Sequence, residues 1–300
     1  MKFCNKNYRI DNDLAILIIV TKAADAGRGC RGADNKVQDD VLIEPSEGPV
    51  FAVRRPDGAG DVVLVCEHAS KTMPRSLGTL GLDPAVLESH IAWDIGAGAV
   101  AERLSDLLDA PLISQRFSRL AYDCNRPPAS PDAYPERSEI YDVPGNRGLD
   151  QTERSRRAEA LYFPFHRAID SLIDERLAQG RNVVLVTVHS FTPVYFGRPR
   201  DGYLGILHDD DRRLADAMLD AASAARLEKV HENYPYGPED GVTHTLKRHG
   251  ITRQILNVML EIRNDLISEE AGQDAWVTQI AGLLGAALDR LNQEGGRLHA

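Results

Sequence analysis

The chain has 300 residues, of which 43% are hydrophobic and 27% charged, as is usual for a globular protein with one large α/β domain or two small ones. Its formal net charge of −10 argues against a nucleic-acid or anionic-membrane partner, because either needs a basic binding surface. Four cysteines without metal-site spacing favour a reducing, cytoplasmic setting, and no apolar run approaches the roughly 20 residues of a membrane-spanning helix.

Residues 1–45 differ in composition from the rest of the chain. The run Leu14–Val20 resembles a signal-peptide core, but Asp11 and Asp13 stand where a basic segment belongs. A polar, glycine-rich stretch without periodicity follows it. We therefore predict a poorly ordered N-terminal leader over residues 1–45 and a single α/β domain over residues 46–300.

From residue 50 onward, apolar runs alternate with helical patterns, which predicts βαβ units and a mostly parallel sheet covered on both faces. The predicted strands are 62–67, 111–116, 183–188, 203–207, 228–232 and 255–262. The predicted helices are 96–109, 150–180, 210–224 and 268–293. Asp150 and Glu153 form a capping-box pattern, and Pro164 predicts a kink or a split in the second helix. A long loop over 125–149 is typical of a functional or mobile segment.

Three of these apolar runs end in a residue that can bind metal or carry a proton. His68 follows the first run, His189 follows the third, and Glu261 lies at the end of the last. Ligands of open α/β sheets bind outside the carboxyl ends of the strands, so the three side chains are expected to meet in one crevice. Two imidazoles and a carboxylate are ligands typical of a catalytic zinc site.

A zinc site with three protein ligands needs one more donor, and Asp94 is the candidate. Asp94 precedes the helix at 96–109, where it could instead cap the first turn, and spacing alone leaves both roles open. Glu261 is costly to bury without a partner, which could be metal, water or Arg263. Arg263 could equally be a plain salt-bridge partner.

The segment after the strand at 111–116 is rich in polar donors. Arg119 and Arg126 are suited to binding a substrate carboxylate, since guanidinium pairs with it in a bidentate manner. The alternative is an internal ion-pair network with Asp123, and we expect one arginine to face the ligand and the other to be structural. His244 is a weaker candidate, as a donor to the transition state.

Five motifs in this order resemble the N-formylglutamate amidohydrolase family, over roughly residues 50–292. They are Glu67-His68-Ala69-Ser70, His90 to Ala97, Ser118 to Arg126, Val188-His189-Ser190-Phe191, and Leu260-Glu261-Ile262-Arg263. The resemblance implies a phosphorylase/hydrolase-like, three-layer αβα sandwich with a mostly parallel mixed sheet, in which one strand could be antiparallel. It also implies architectural similarity to zinc-dependent carboxypeptidases and cell-wall amidases.

Carried over by position, the resemblance implies one zinc ion per chain bound by His68, Asp94 and His189, with Glu261 as the general base. The implied reaction, carried out by the domain at 46–300, is cleavage of the amide bond of an N-formyl or other N-acyl amino acid. The implied substrate is therefore a small molecule. The turn at Glu67-His68 departs from the Pro-His-Ser-Gly turn of better-known members. This departure leaves the metal ligand in place but allows a different N-acyl amino acid as the substrate.

Two other functions fit the same fold. A zinc peptidase or cell-wall amidase would keep the metal site, but the acidic charge and the absence of wall-binding repeats weigh against it. A non-catalytic binding domain would have lost Glu261 or a metal ligand, and all four residues are present.

Overall fold

A seven-stranded mixed sheet forms the centre of the computed structural model, which describes residues 41–294. The strands in chain order are β1 (Phe51–Arg54), β2 (Val62–Cys66), β3 (Leu112–Gln115), β4 (Arg137–Ser138), β5 (Tyr141–Asp142), β6 (Val184–Phe191), β7 (Val194–Tyr195), β8 (Arg198–Pro199), β9 (Leu204–Leu207), β10 (Val230–Glu232) and β11 (Leu256–Arg263). The order across the sheet is β1-β3-β2-β6-β11-β9-β10. The pairs β4–β5 and β7–β8 form two short separate ribbons.

The helices pack on both faces of this sheet. The α-helices in chain order are α1 (Pro84–Leu87), α2 (Ala97–Leu108), α3 (Gln151–Arg157), α4 (Phe163–Ala178), α5 (Arg213–Ala224) and α6 (Glu270–Gln293). Two π-helical turns, Ala158–Tyr162 and Leu246–Gly250, and several 3-10 turns complete the secondary structure of the described residues.

Alternate side chains of the central strands enter different cores, because successive residues of a strand point to opposite faces. Val184, Val186 and Val188 of β6 pack in the core beneath α2, α5 and α6. Val183 and Leu185 pack in the second core, which includes apolar residues of α4. Burial on both faces explains why these strands are continuous apolar runs. The result is the expected three-layer αβα sandwich.

The strand directions are more mixed than the resemblance implies. The strands β3, β2, β6 and β11 are parallel to one another, whereas β1 pairs antiparallel with β3 and β9 antiparallel with β11. Since β10 is parallel to β9, three strands run against the central four rather than one. The parallel centre carries the residues of the candidate site.

Most predicted boundaries agree with the structure within a few residues, but two strands run further than predicted. The strand expected to end at residue 188 continues to Phe191, and β11 continues to Arg263. His189 and Glu261 therefore lie within strands, two residues before their carboxyl ends. The helix predicted from residue 150 is split, as Pro164 suggested: a π-helical turn separates α3 from α4. Asp150 caps α3 by accepting from the Glu153 amide.

The predicted leader lies mostly outside the described residues. Of its residues 1–45, the structure describes 41–45, and Leu42 there is buried in the core on the α4 side of the sheet. Within residues 41–294, none of the helices combines the length and apolar character needed to cross a membrane.

Gly205 of β9 allows a loop to lie directly against the sheet. It is opposite Glu261 in the β9–β11 register, and a Cβ atom built on it would lie 1.6 Å from the backbone oxygen of Tyr234. Backbone cannot move aside as a flexible side chain can, so any larger residue here must displace the strand or the Tyr234–Tyr236 segment.

We expect Gly205→Ala to lower the free energy of unfolding by about 1–3 kcal/mol, the usual cost of overpacking a well-packed interior. Urea denaturation monitored by circular dichroism measures this change. The matched control is Gly282→Ala, at an exposed position of α6 where the added Cβ meets nothing within 4 Å. It should raise stability by about 0.5–1 kcal/mol, as alanine does in helix interiors. Equal effects from the two substitutions would contradict the steric argument.

Candidate active site

A cavity of about 440 Å³ opens at the carboxyl ends of the parallel strands β2, β6 and β11. Its wall includes His68, His189 and Glu261, which the sequence predicted would share a crevice, and Asp94, which the family resemblance added to them. The volume is in the range of small-molecule sites.

Three side-chain atoms converge at the base of this site. Asp94 Oδ2 lies 3.3 Å from His68 Nδ1 and 2.9 Å from His189 Nδ1, and the two Nδ1 atoms are 3.2 Å apart. All three residues are buried. Two imidazole nitrogens and a carboxylate oxygen directed at one point are a donor set that could hold a metal ion.

Asp94 reaches this position because it does not cap the following helix. The N-cap residue of α2 is Gly96, whose φ of 81° lies in the left-handed region that favours glycine. The Asp94 carboxylate instead accepts the Ser190 amide of β6, at 3.3 Å. The N-cap role that spacing left open is therefore wrong.

The outer nitrogen of each histidine contacts a buried carboxylate. His68 Nε2 lies 2.7 Å from Asp123 Oδ1, and His189 Nε2 lies 3.0 Å from Glu67 Oε2. The Asp123 carboxylate accepts the proton of His68 Nε2, which leaves the lone pair of His68 Nδ1 facing the shared point. The contact between His189 and Glu67 is an ion pair without hydrogen-bond geometry. Metal-binding histidines are commonly oriented in this way, so the surroundings fit a cation.

The charges of these buried groups support one another. Burial opposes ionisation, but the nearby His68 outweighs it and lowers the pKa of Asp94 and of Asp123. In the same way, burial lowers the pKa of His189 but Glu67 outweighs it, so the pKa of His189 lies well above its ordinary value. The site is a compact alternation of acidic and basic groups.

Glu261 lies beside this cluster without being part of it. It is opposite His189 in the parallel register of β6 and β11, and it is 5% exposed. Its Oε2 atom has no hydrogen-bond partner among the described residues. Burial, reinforced by the negative charge of Asp94, raises the pKa of Glu261 to about 7. A carboxyl group in this environment can accept and release a proton near neutral pH.

Arg119 and Arg126 both line the cavity but differ in their partners. Arg119 lies 3.3 Å from Asp94 Oδ1 and 2.8 Å from Asp123 Oδ2, the ion-pair network considered from the sequence. Arg126 forms no ion pair with a described residue: its guanidinium donates to the backbone oxygens of Asn125 and Asp240, and its Nε is buried without a partner. Arg126 is therefore the one with spare capacity for an anion.

The other two predicted substrate-binding residues are not in the cavity wall. Arg263 pairs with Asp265 at 2.8 Å and stacks over Tyr203, the plain salt-bridge alternative for this residue. His244 contacts the hydroxyl of Tyr162 through Nε2 at 2.8 Å, and burial lowers its pKa to about 4.

The loop that carries Arg126 is held at successive residues. The Asp123 amide donates to Ala133, and the Asn125 side chain accepts the Thr245 amide and donates to Val242. His166 Nε2 donates to the carbonyl of Cys124 at 2.7 Å. These bonds make residues 123–126 a fixed platform beside the cavity.

Three residues of the site were not singled out from the sequence as functional. Glu67 could have been, since a carboxylate ending a buried strand needs a partner, which is the argument already applied to Glu261. Asp123 was considered only as an ion-pair partner of Arg119 or Arg126. Arg200 also lines the cavity, but it follows a short ribbon without any pattern that would have indicated it.

Known proteins resemble this chain in sequence and in fold. The chain matches the N-formylglutamate amidohydrolase family over residues 60–268, well over half its length. It is similar to the crystal structure of a gene product from Agrobacterium tumefaciens, with 56% identity and a TM-score of 0.82, covering 84% of this chain and 99% of that one.

An N-formylglutamate amidohydrolase from Ralstonia eutropha has the same fold at 19% identity and a TM-score of 0.57, covering 79% of this chain and 96% of that one. Among curated proteins, no match was found. The family resemblance inferred from five motifs is confirmed, and the chain belongs to the N-formylglutamate amidohydrolase family of amide-cleaving hydrolases.

Proposed function

We propose that this protein is a zinc-dependent amidohydrolase that cleaves N-formyl, or other N-acyl, amino acids such as N-formylglutamate into formate and the free amino acid. The observation that carries the proposal is the convergence of His68, Asp94 and His189 beside the unpartnered carboxyl of Glu261. Family membership supplies the reaction class.

The donor set supports zinc, because two histidines and one carboxylate leave a coordination position open in a catalytic site. We infer one zinc ion per chain, bound by His68 Nδ1, His189 Nδ1 and an Asp94 oxygen. Asp123 and Glu67 would hold the two imidazoles in the tautomer that binds metal. When bound, zinc would polarise the scissile carbonyl and make water a stronger nucleophile.

The chain's own residues would then move protons and orient the substrate. Glu261 takes a proton from the attacking water and returns it to the leaving nitrogen. Arg126 binds the substrate carboxylate, so that binding energy remote from the amide orients the scissile bond. Arg119 keeps Asp94 and Asp123 in position through its two ion pairs.

The substrate is a small molecule, and the proposed setting is the cytoplasm. Cys66 and Cys124 are buried free thiols, which suits a reducing compartment.

The proposed reaction is tested on a panel of N-formyl and N-acetyl amino acids with zinc-loaded protein, by measuring release of the free amine. We expect N-formyl amino acids with a free carboxylate to be hydrolysed. Their methyl esters should react at least about tenfold more slowly, since they cannot form the charged contact with Arg126. If the unmodified enzyme hydrolyses ester and acid equally well, carboxylate recognition is wrong and the amino-acid substrate class with it.

Metal analysis of the purified protein tests the ligand set independently of turnover. The wild-type chain should bind about one zinc ion, and the double variant His68→Ala, His189→Ala should lose it because two of three ligands are gone. His231→Ala, at an exposed histidine of β10, is the control and should keep full occupancy. Full occupancy in the double variant would rule out the assigned site.

The variant Glu261→Gln separates a general base from a metal ligand. The amide has the shape of the carboxyl but cannot take a proton, so kcat should fall on the order of 10²-fold or more. Zinc content and thermal unfolding should stay at the wild-type values. Loss of zinc from this variant would instead make Glu261 a ligand and put the role of Asp94 in doubt.

A further inference from the structure

His166 is a buried histidine of α4 that the proposed mechanism does not use. Its Nε2 atom lies 2.7 Å from the carbonyl oxygen of Cys124, and because a carbonyl can only accept, this nitrogen carries the proton. Cys124 stands directly after Asp123 and two residues before Arg126. The bond therefore joins a core helix to the short segment that carries two residues of the candidate active site.

Two further groups hold the opposite edge of this ring. His166 Nδ1 lies 2.7 Å from His249 Nε2, and His249 Nδ1 lies 3.0 Å from Asp170 Oδ1. Asp170 is itself fixed by ion pairs with Arg248 at 3.1 Å and Arg253 at 2.8 Å. Both histidines are fully buried. The contacts form a continuous chain from a partly exposed carboxylate, through two buried rings, to the loop beside the cavity.

The His166 bond differs in kind from the other contacts of this loop. Gln115 donates to the Cys124 thiol at 3.1 Å, a weak contact because sulfur is a poor acceptor. The Asn125 side chain donates to Val242, which lies in another loop. His166 belongs instead to a helix of 16 residues packed in the core. The helix gives its donor a position that neither loop determines.

We propose that His166 is a positioning residue, which places Arg126 for the substrate carboxylate by fixing the carbonyl of Cys124. His249 and Asp170 keep the ring of His166 in the required orientation. This inference rests on the proposed function and adds to it a residue that does not touch the substrate, since His166 lies outside the cavity wall. Charged hydrogen bonds of arginine depend on geometry, so a small displacement of Arg126 weakens the carboxylate contact more than it affects the cleavage of the amide.

Two amide substitutions separate the donor of His166 from its volume. The amide nitrogen of glutamine can take the place of Nε2 and keep the bond to Cys124, whereas asparagine is too short to reach it. The test compounds are N-formylglutamate and its α-methyl ester, of which the wild-type enzyme should prefer the acid. His166→Asn should lower this preference in kcat/KM about fivefold, mainly through a higher KM for the acid, as loss of one hydrogen bond would. His166→Gln should keep the wild-type preference.

A milder change at the partly exposed end tests the chain without altering the core. Asp170→Asn should shift the acid-to-ester preference in the same direction as His166→Asn but less, since a neutral amide accepts more weakly than a carboxylate. The matched control is Asp174→Asn, because Asp174 pairs with the same Arg253 at 2.8 Å and lies outside the histidine chain. It should keep the wild-type preference.

Hydrogen exchange gives a readout that does not depend on turnover. The Arg126 amide donates to the Asp123 carbonyl at 3.0 Å, so its exchange reports how firmly the loop is held. Mass spectrometry of a peptide that spans residues 123–126 should show faster exchange in His166→Asn and wild-type exchange in His166→Gln. Ile169→Val trims a buried side chain of the same helix and controls for a general loss of stability. It should leave both the exchange of this peptide and the acid-to-ester preference unchanged.

The possible failures are distinguishable. An unchanged preference in His166→Asn, with normal turnover by the wild-type enzyme, overturns the role of His166 and leaves the proposed function intact. Equal losses in the asparagine and glutamine variants also overturn this role, because the ring's volume rather than its donor would then matter. A wild-type enzyme that hydrolyses neither compound overturns the proposed function, and this inference with it.

Discussion

The pairing of each buried histidine with a buried carboxylate is the interaction on which the site depends. His68 and His189 could not present their Nδ1 atoms to Asp94 unless Asp123 and Glu67 held the opposite edges of the rings. Because these groups are almost fully buried, removing any one of them leaves an uncompensated charge or dipole, typically a loss of 3–5 kcal/mol for one partner of a buried pair, as an order of magnitude. The geometry of the centre and the stability of the surrounding strands are therefore coupled.

The sheet accounts for how residues far apart in the chain share this centre. Parallel pairing brings His189 of β6 opposite Glu261 of β11, and both side chains point to the same face since registered residues in neighbouring strands do so. His68 follows β2, on the other side of β6. Asp94 is added from the turn before α2. One strand edge thus collects four residues that are separated by up to nearly two hundred positions.

Six of the seven strands of the main sheet, all but β1, and the main residues of the candidate site could be predicted from the sequence because their signals are local. Continuous branched apolar runs indicate buried strands, and a polar residue near the end of such a run stands out, as His68, His189 and Glu261 do. Strand direction could not be predicted in this way, since a four-residue run such as β9 reads the same in either orientation. The partners of the arginines were also beyond prediction: Arg119, Arg126 and Arg263 look alike in sequence, and their different roles arise only from which carboxylates the folded chain brings near.

The bonds that immobilise residues 123–126 have a consequence for the length of the substrate. Since Asp123, Cys124 and Asn125 are each anchored to other elements, Arg126 keeps a constant separation from the His68–Asp94–His189 centre. Under the proposed binding mode, this separation determines which distance between the scissile amide and the substrate carboxylate the site accepts. A β-amino acid derivative places its carboxylate one carbon further from the amide than an α-amino acid derivative does, so an Arg126 held at one separation cannot suit both equally. Rigidity in this loop would thus discriminate by backbone length, separately from any selection by charge.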